Sequence, residues 1–148
     1  MTAQLIGVHK LEQLLRKVAG LNIDKSDLRR LNEFINQKVY DLLIVGQAVA
    51  KSNERDIIEP WDLPITKGLQ ANIKEFKSFD IELELQPILE QLATLPLLDL
   101  DYSATTESQL PEIVGGLIVS LGKSFKIIDP NLKNPQTAHW ERAYELFS

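Results

Sequence analysis

The longest amphipathic pattern in the chain runs from Asp24 to Lys51. Its apolar positions recur mostly at intervals of three and four, which is the spacing of one face of an α-helix. These positions are Leu28, Leu31, Phe34, Ile35, Val39, Leu42, Leu43, Val45 and Val49. Asp24 is a candidate N-cap, and no proline interrupts the stretch. The pattern predicts one helix of about seven turns, whose apolar stripe must be covered by a second apolar surface.

Shorter helices are predicted on both sides of this long helix. One helix is predicted over residues 5–18 from its own apolar stripe. Gly20, a residue favoured after a helix C-terminus, follows it. After a polar loop over 52–58, Pro60 suits the first turn of another helix that ends near residue 76. Pro64 is unfavourable inside that helix and shifts its expected regular part toward Leu63. The first half is therefore predicted to contain a short helix, a long helix and a second short helix.

The second half repeats this plan in its hydrophobic pattern, though not in residue identity. The predicted helices cover 83–95, 105–125 and a last segment that begins at Asn134-Pro135. The long one has Ser103, Thr105 or Thr106 as its N-cap, contains Pro111, and has a Gly115-Gly116 pair that permits a close helix crossing. Trp61 and Trp140 fall at similar places in the two halves, and we interpret both as core side chains. The pattern predicts an all-α fold and a single compact domain over 1–148, and an ordinary bundle of four to six helices is one arrangement that fits it.

The charge of the chain is unevenly divided between these halves. The formal net charge of the 148 residues is −5. Residues 1–77 contain 12 basic and 10 acidic side chains, whereas residues 78–148 contain 4 basic and 11 acidic ones. A protein that coats nucleic acid normally has a strongly basic face. This balance argues against non-specific coating of DNA unless the basic residues of the first half gather on one side.

Several classes of protein are disfavoured by what the sequence lacks. It has no cysteine, no apolar run near the ~18 residues of a membrane span, and no apolar leader, so a cytoplasmic protein is expected. The lack of cysteine and the single methionine also fit a thermophile. Asp99-Leu-Asp101 resembles an acidic phosphotransfer motif, but no alternation of strands and helices accompanies it. We therefore expect no enzyme, metal site, cofactor or small-molecule substrate.

Two segments of the first half carry a resemblance to a known family. The run from Leu14 to Gly20, followed by Ile23 and the long helix, resembles the first helix and loop of archaeal histones. The segment from Arg55 to Leu63 resembles the histone pattern Arg-x-Thr-Ile-x-x-x-Asp-Ile. The chain thus resembles bacterial single-chain tandem histone-fold proteins. The resemblance implies two histone-fold halves, 5–76 and 83–148, packed as an intramolecular pseudo-dimer, with Arg55 and Asp62 forming a structural clamp.

The departures from the histone pattern bear on function. In archaeal histones, basic residues in the first helix, the first loop and the second loop contact DNA phosphates. The positions that match them here are Gln13, Asn22 and Ile57, none of which is basic. Aligning Pro135 with Pro60 places Pro130 and Thr137 at the clamp positions of the second half, so the clamp is expected to be absent there.

Two functions remain open from the sequence. One is weak histone-like binding of double-stranded DNA by a set of basic residues: Lys10, Arg16, Lys17, Lys25, Arg29 and Lys51. The alternative reading of these residues is a solvated helix surface, and the alternative function is a protein-interaction or assembly module that does not bind DNA. For either function, the protein is expected to be a monomer or a homo-oligomer of pseudo-dimers. Clustering of the six residues on one surface favours DNA, and scattering beside an exposed apolar patch favours a protein partner.

Overall fold

The computed structural model describes residues 7–147, and in this range it is predominantly helical. The α-helices are α1 (Val8–Ala19), α2 (Lys25–Ser52), α3 (Lys67–Ser78), α4 (Leu85–Leu92), α5 (Ala104–Ile128) and α6 (Thr137–Leu146). A 3₁₀ turn covers Pro60–Asp62, and two-residue strands β1 (Ile57–Ile58) and β2 (Asp101–Tyr102) complete the elements. The all-α class is confirmed. The predicted first two residues of the opening helix, Leu5 and Ile6, lie outside the described residues.

The long helix α2 begins and runs as its sequence pattern predicts. The Asp24 side chain accepts a hydrogen bond from the Asp27 backbone N–H at 2.9 Å, and the Asp27 carboxylate accepts one from the Asp24 N–H. This reciprocal cap satisfies two donors that have no partner within the helix. Most of the predicted stripe is buried, but Val45 is 44% exposed. At the buried Gly46, a Cβ would lie 2.9 Å from the Leu63 side chain, so the glycine permits this close approach.

Helix α5 lies at the centre of the molecule. It contacts α1, α2, α3, α4 and α6, and nearly half of its residues are buried. Gly115, Gly116 and Gly122 provide the close crossings, because their Cα atoms face Phe76, Ile73 and Val18 respectively. Both short helices of the first half therefore pack on the long helix of the second half. The prediction that Gly115-Gly116 allow a close helix crossing is confirmed.

The loops of the two halves meet in pairs at opposite ends of the long helices. At one end β1 pairs in parallel with β2, in the register Ile57 with Asp101 and Ile58 with Tyr102. At the other end the Asn22 backbone N–H donates to the Lys133 carbonyl at 2.7 Å. The short strands were not predicted, since two residues give no detectable alternation pattern.

Several helix boundaries differ from the prediction for local reasons. The helix expected from Pro60 is a short 3₁₀ turn, and the regular helix α3 begins only at Lys67, with Thr66 as its cap, because Pro64 prevents helix at the residues before it. The last helix begins at Thr137 rather than Asn134. The helix predicted to end at residue 125 continues to Ile128. Pro111 lies within α5, and Ser103 is the cap among the three candidates.

The two tryptophans occupy different environments. Trp140 is 1% exposed, and its indole N–H donates to the Asp27 carboxylate at 2.8 Å. Trp61 is 72% exposed on the 3₁₀ turn. The interpretation of Trp61 as a core side chain is therefore wrong. The error came from treating the two tryptophans as equivalent because they fall at similar places in the two halves, whereas only Trp140 lies on a regular helix whose apolar face turns inward.

The buried side chains form one hydrophobic core to which both predicted halves contribute. It extends from Leu11 in α1, through Leu31 and Leu43 in α2, to Leu121 in α5 and Ala143 in α6. Buried polar contacts also link the halves: the Gln91 amide donates to Asn32 at 3.0 Å. Among the described residues, no helix combines the length and hydropathy that crossing a membrane requires.

Candidate functional site

The paired loops define two ends of the molecule with opposite charge. The basic end comprises residues 16–30 and 126–139, which contain seven basic and three acidic side chains, a formal charge of +4. The acidic end comprises residues 51–62 and 97–107, with two basic and seven acidic side chains, a charge of −5. Lys25 and Lys51 lie 26 residues apart on α2, so the ends are about 39 Å apart at ~1.5 Å per residue.

An Arg–Asp ion pair holds the loop of the acidic end. The Arg55 Nη1 donates to Asp62 Oδ2 at 2.7 Å, and its Nη2 donates to Oδ1. Asp62 also accepts the Glu59 backbone N–H at 2.8 Å and is buried. The hydrogen bonds from Arg55 and from that backbone group lower the pKa of the Asp62 carboxyl, although burial opposes this shift. The contact that the histone resemblance implies for these two residues is present.

The other candidate at the acidic end, Lys51, is already paired. Its ammonium group lies 2.5 Å from the Asp99 carboxylate. Around this pair, Glu54, Asp56 and Asp101 are exposed to solvent. A phosphate group approaching here meets an excess of carboxylates, and the nearest lysine is engaged with one of them. The acidic end is therefore a poor place for a DNA backbone.

The basic end has a local contact that partly parallels the Arg55–Asp62 pair. The His139 Nδ1 accepts the Gln136 backbone N–H at 2.9 Å, as Asp62 accepts that of Glu59, and the His139 Nε2 lies 3.5 Å from the Asp129 carboxylate. No second Arg–Asp pair is formed among the described residues of this end: when Asp62 is matched to His139, the position of Arg55 is occupied by Leu132, and Asp129 lies three residues before it. A histidine–aspartate contact occupies this place. Thr137, which the alignment of Pro135 with Pro60 put at the Asp62 position, instead accepts a hydrogen bond from the Arg30 guanidinium at 3.0 Å.

Four of the six candidate DNA-binding residues lie at the basic end. Arg16 and Lys17 occupy the last turn of α1, and Lys25 and Arg29 the first turns of α2. All four are exposed. Lys17 also lies 5.9 Å above the centroid of the Phe79 ring.

The remaining two candidates lie elsewhere. Lys10 is half-buried in the first turn of α1, and Lys51 is at the far end of α2. The basic end also has an exposed residue that the prediction did not include, Lys133, whose backbone pairs with Asn22. The six predicted residues therefore do not form one cluster, but four of them gather at one end.

A groove opens beside the acidic end. It has a volume of about 560 Å³ and lies between α2, α4, the β2 segment and the start of α5. Its walls are mostly apolar, and its polar lining includes Tyr40, Tyr102, Asp101 and Glu107. Burial, with the charges of Glu107 and Asp101, raises the pKa of the Tyr102 hydroxyl. Within residues 7–147, no group of three or more histidine, aspartate or glutamate side chains is placed to hold a metal ion.

Comparison with known proteins places the chain in a family. The model of a domain of unknown function, DUF1931, matches residues 11–148. The chain belongs to this family. A relative from Aquifex aeolicus (strain VF5), described as an uncharacterized protein, is 26% identical over 113 residues, which cover 76% of this chain and 66% of the relative. The chain thus spans slightly less than two thirds of that relative's length.

Two crystal structures resemble this DUF1931 chain. That of ttk003001566 from Thermus thermophilus is 48% identical, covers 97% of both chains and has a TM-score of 0.93. That of AQ328 from Aquifex aeolicus is 23% identical, covers 99% of this chain and 97% of the other, and has a TM-score of 0.79. At that identity the second similarity shows the fold alone.

Sequence reasoning missed two features of this DUF1931 protein. The first is the groove, because its lining comes from residues far apart in the chain, such as Tyr40 and Glu107. The second is the separation of charge between the ends, which depends on which loops meet. One sequence pattern could have indicated the groove. Asp99 and Asp101 alternate with Leu98 and Leu100, and the two leucines line the groove.

Proposed function

We propose that the chain is a histone-fold pseudo-dimer. Three observations support this architecture. A long helix with a shorter helix on each side occurs in each half, the loops of the two halves meet at both ends, and Arg55 binds Asp62 as the histone resemblance implies. We also propose that the protein is cytoplasmic and is not an enzyme. The similarity to proteins from Thermus and Aquifex supports a thermophilic bacterial source.

We further propose that the basic end binds double-stranded DNA weakly. The observation that supports it is the gathering of Arg16, Lys17, Lys25 and Arg29 at the end with charge +4. Exposed lysine and arginine bind phosphate oxygens and release condensed counterions. Because only one end is basic, DNA contacts one end of the pseudo-dimer and does not follow its whole length. The affinity is therefore low and independent of base sequence.

Fluorescence anisotropy of a labelled DNA duplex at several salt concentrations tests this proposal. We expect binding at low salt that weakens as salt rises, because each phosphate contact adds about 0.9 to the slope of log K against log salt. The double variant Lys25→Ala/Arg29→Ala should lower that slope by about two. The matched control is Lys67→Ala/Lys74→Ala, which removes the same charge from exposed positions on α3. It should leave the slope unchanged.

Two outcomes contradict DNA binding at the basic end. One is the absence of binding even at low salt. The other is an equal loss in the two double variants, which would mean that only net charge matters. Either outcome leaves the histone-fold architecture untouched, since that rests on loop pairing and helix packing.

The second candidate function is a protein-assembly module that does not bind DNA. It is favoured by the acidic end, where exposed carboxylates surround a largely apolar groove. Exposed apolar surface with a polar rim is typical of protein interaction sites. Failure of the DNA experiment would leave this candidate as the proposed function.

A further inference from the structure

The groove at the acidic end has an unusual exposed side chain at its wall. Leu97 is 92% exposed and lines the groove together with Ile57, which is 38% exposed. Leu89, Leu92 and Leu95 form further parts of the same wall. Burial of large apolar side chains is the main favourable contribution when a segment packs into an apolar groove. The groove therefore offers apolar surface that a bound segment could cover.

Carboxylates surround this apolar surface. Asp101 and Glu107 line the groove, and the exposed Asp99 lies in the same segment, between groove-lining Leu98 and Leu100. On the other loop, Glu54 and Asp56 are exposed beside Ile57. The cations of this end are engaged: Lys51 with Asp99 and Arg55 with Asp62. A ligand with positive charge at its edges fits this potential, and an anionic one is repelled.

We propose that this groove docks a cationic amphipathic segment of a partner protein. Apolar side chains of the segment pack against Leu97 and Ile57, while its lysines or arginines face Asp101 and Glu107, because Asp99 is already paired with Lys51. Two copies of the chain repel each other overall, because each carries a net charge of −5, so a second copy would have to dock through its basic end, an outcome that the sedimentation measurement below tests. The inference deepens the assembly candidate and is independent of DNA binding, since the groove lies at the opposite end of α2 from Lys25.

A labelled model peptide tests the proposal with the full-length protein. The probe is a synthetic amphipathic helix built from leucine and lysine, and its counterpart has glutamate in place of every lysine. We expect anisotropy to report binding of the lysine peptide and none of the glutamate peptide. Raising NaCl from about 50 to 500 mM should weaken binding without abolishing it, because salt screens the charges but leaves the apolar contact.

Substitutions separate groove binding from a general attraction between opposite charges. Leu97→Ser should weaken the affinity for the lysine peptide by about tenfold, a change of ~1.4 kcal/mol in binding free energy. The controls Ile127→Ser and Leu146→Ser remove side chains that are 80% and 63% exposed outside the groove, and should change affinity less than twofold. Asp101→Asn/Glu107→Gln should also weaken binding, whereas Glu82→Gln/Glu141→Gln, at exposed positions outside the groove lining, should not.

Three results overturn the proposal. Equal effects of Leu97→Ser and its two controls would mean that the peptide binds the acidic surface without using the groove. Loss of binding in Trp61→Ser, with Leu97→Ser unchanged, would move the docking site to the exposed 3₁₀ turn. Self-association in sedimentation velocity that Leu97→Ser abolishes would assign the groove to a second copy. None of these results bears on DNA binding by the basic end, so the two proposals can fail separately.

Discussion

The buried Asp62 carboxylate shows how a single residue stabilises a loop. It accepts two hydrogen bonds from the Arg55 guanidinium and one from the Glu59 backbone N–H. Bidentate pairs of this kind combine charge with fixed geometry. Because Ile57 and Ile58 lie between Arg55 and Asp62, the pair also fixes the strand β1 that meets β2. A local contact in one half thereby helps to hold the other half.

Asp62→Ala should lower the free energy of unfolding by about 1–3 kcal/mol, because it leaves the Arg55 guanidinium and the Glu59 N–H without their acceptor. Asp56→Ala is the control, since Asp56 is an exposed carboxylate on the same loop, and should change stability by less than ~0.5 kcal/mol. Urea unfolding followed by circular dichroism measures both. An unchanged midpoint for Asp62→Ala would show that the pair does not stabilise the fold.

The Arg55–Asp62 pair should make the stability of the protein depend on pH. The pKa of Asp62 is lowered in the folded state, so its carboxylate stabilises the protein above its ordinary pKa of about 4. The stability is lost as the pH falls through the lowered folded-state value. The difference in unfolding free energy between the wild type and Asp62→Ala should therefore be full at neutral pH and shrink only below about pH 4. A difference that already declined near neutral pH would contradict this assignment.

At the scale of elements, packing between α3 and α5 depends on Gly115. A Cβ at Gly115 would lie 2.3 Å from the Phe76 ring. Gly115→Ala should therefore destabilise by about 1–3 kcal/mol, as overpacking does, despite the better helix propensity of alanine. Gly68→Ala is a matched control in α3, because nothing lies within 4 Å of its added Cβ. It should be neutral or stabilise by up to about 1 kcal/mol.

Thermal unfolding of the two glycine variants distinguishes crossing geometry from helix propensity. If both variants rose in melting temperature, propensity would dominate and the α3–α5 crossing would be loose. If both fell equally, the destabilisation would not come from the Phe76 contact. Only a fall for Gly115→Ala, with no fall for Gly68→Ala, agrees with the described packing.

Elements differed in how well the sequence predicted them, and the reason is physical. Helix α2 was predicted closely because its stripe, its Asp24 cap and the glycine before it agree with one another. The region after Pro60 was predicted poorly, since two prolines and short turns give no long period to read. The exposed Trp61 shows that residue type alone does not report burial. The predicted length of α2 already separates Lys51 from Lys25. The pairing of Lys51 with Asp99, however, joins residues 48 positions apart in the chain, which no local pattern predicts.

At the scale of the whole molecule, neither half contains a complete core. The short helices of the first half pack on α5 through Gly115, Gly116 and Gly122. The buried face of α2 also joins a core shared with residues of α4, α5 and α6. A chain that ends near residue 77 therefore exposes most of the apolar surface that folding should bury, while it still loses the conformational entropy of ordering. The loss of that burial outweighs the local stability of a capped helix.

Residues 1–77 expressed alone should therefore lack a cooperative thermal transition. Mixing them with residues 78–148 should restore helicity and a cooperative melt that depends on concentration, because assembly is then bimolecular. Circular dichroism and sedimentation equilibrium measure both quantities, and the intact chain is the reference. A monomeric 1–77 fragment that melted cooperatively would show that the first half is an independent domain. The pseudo-dimer would then be wrong, because its defining property is that each half supplies the surface that the other must cover.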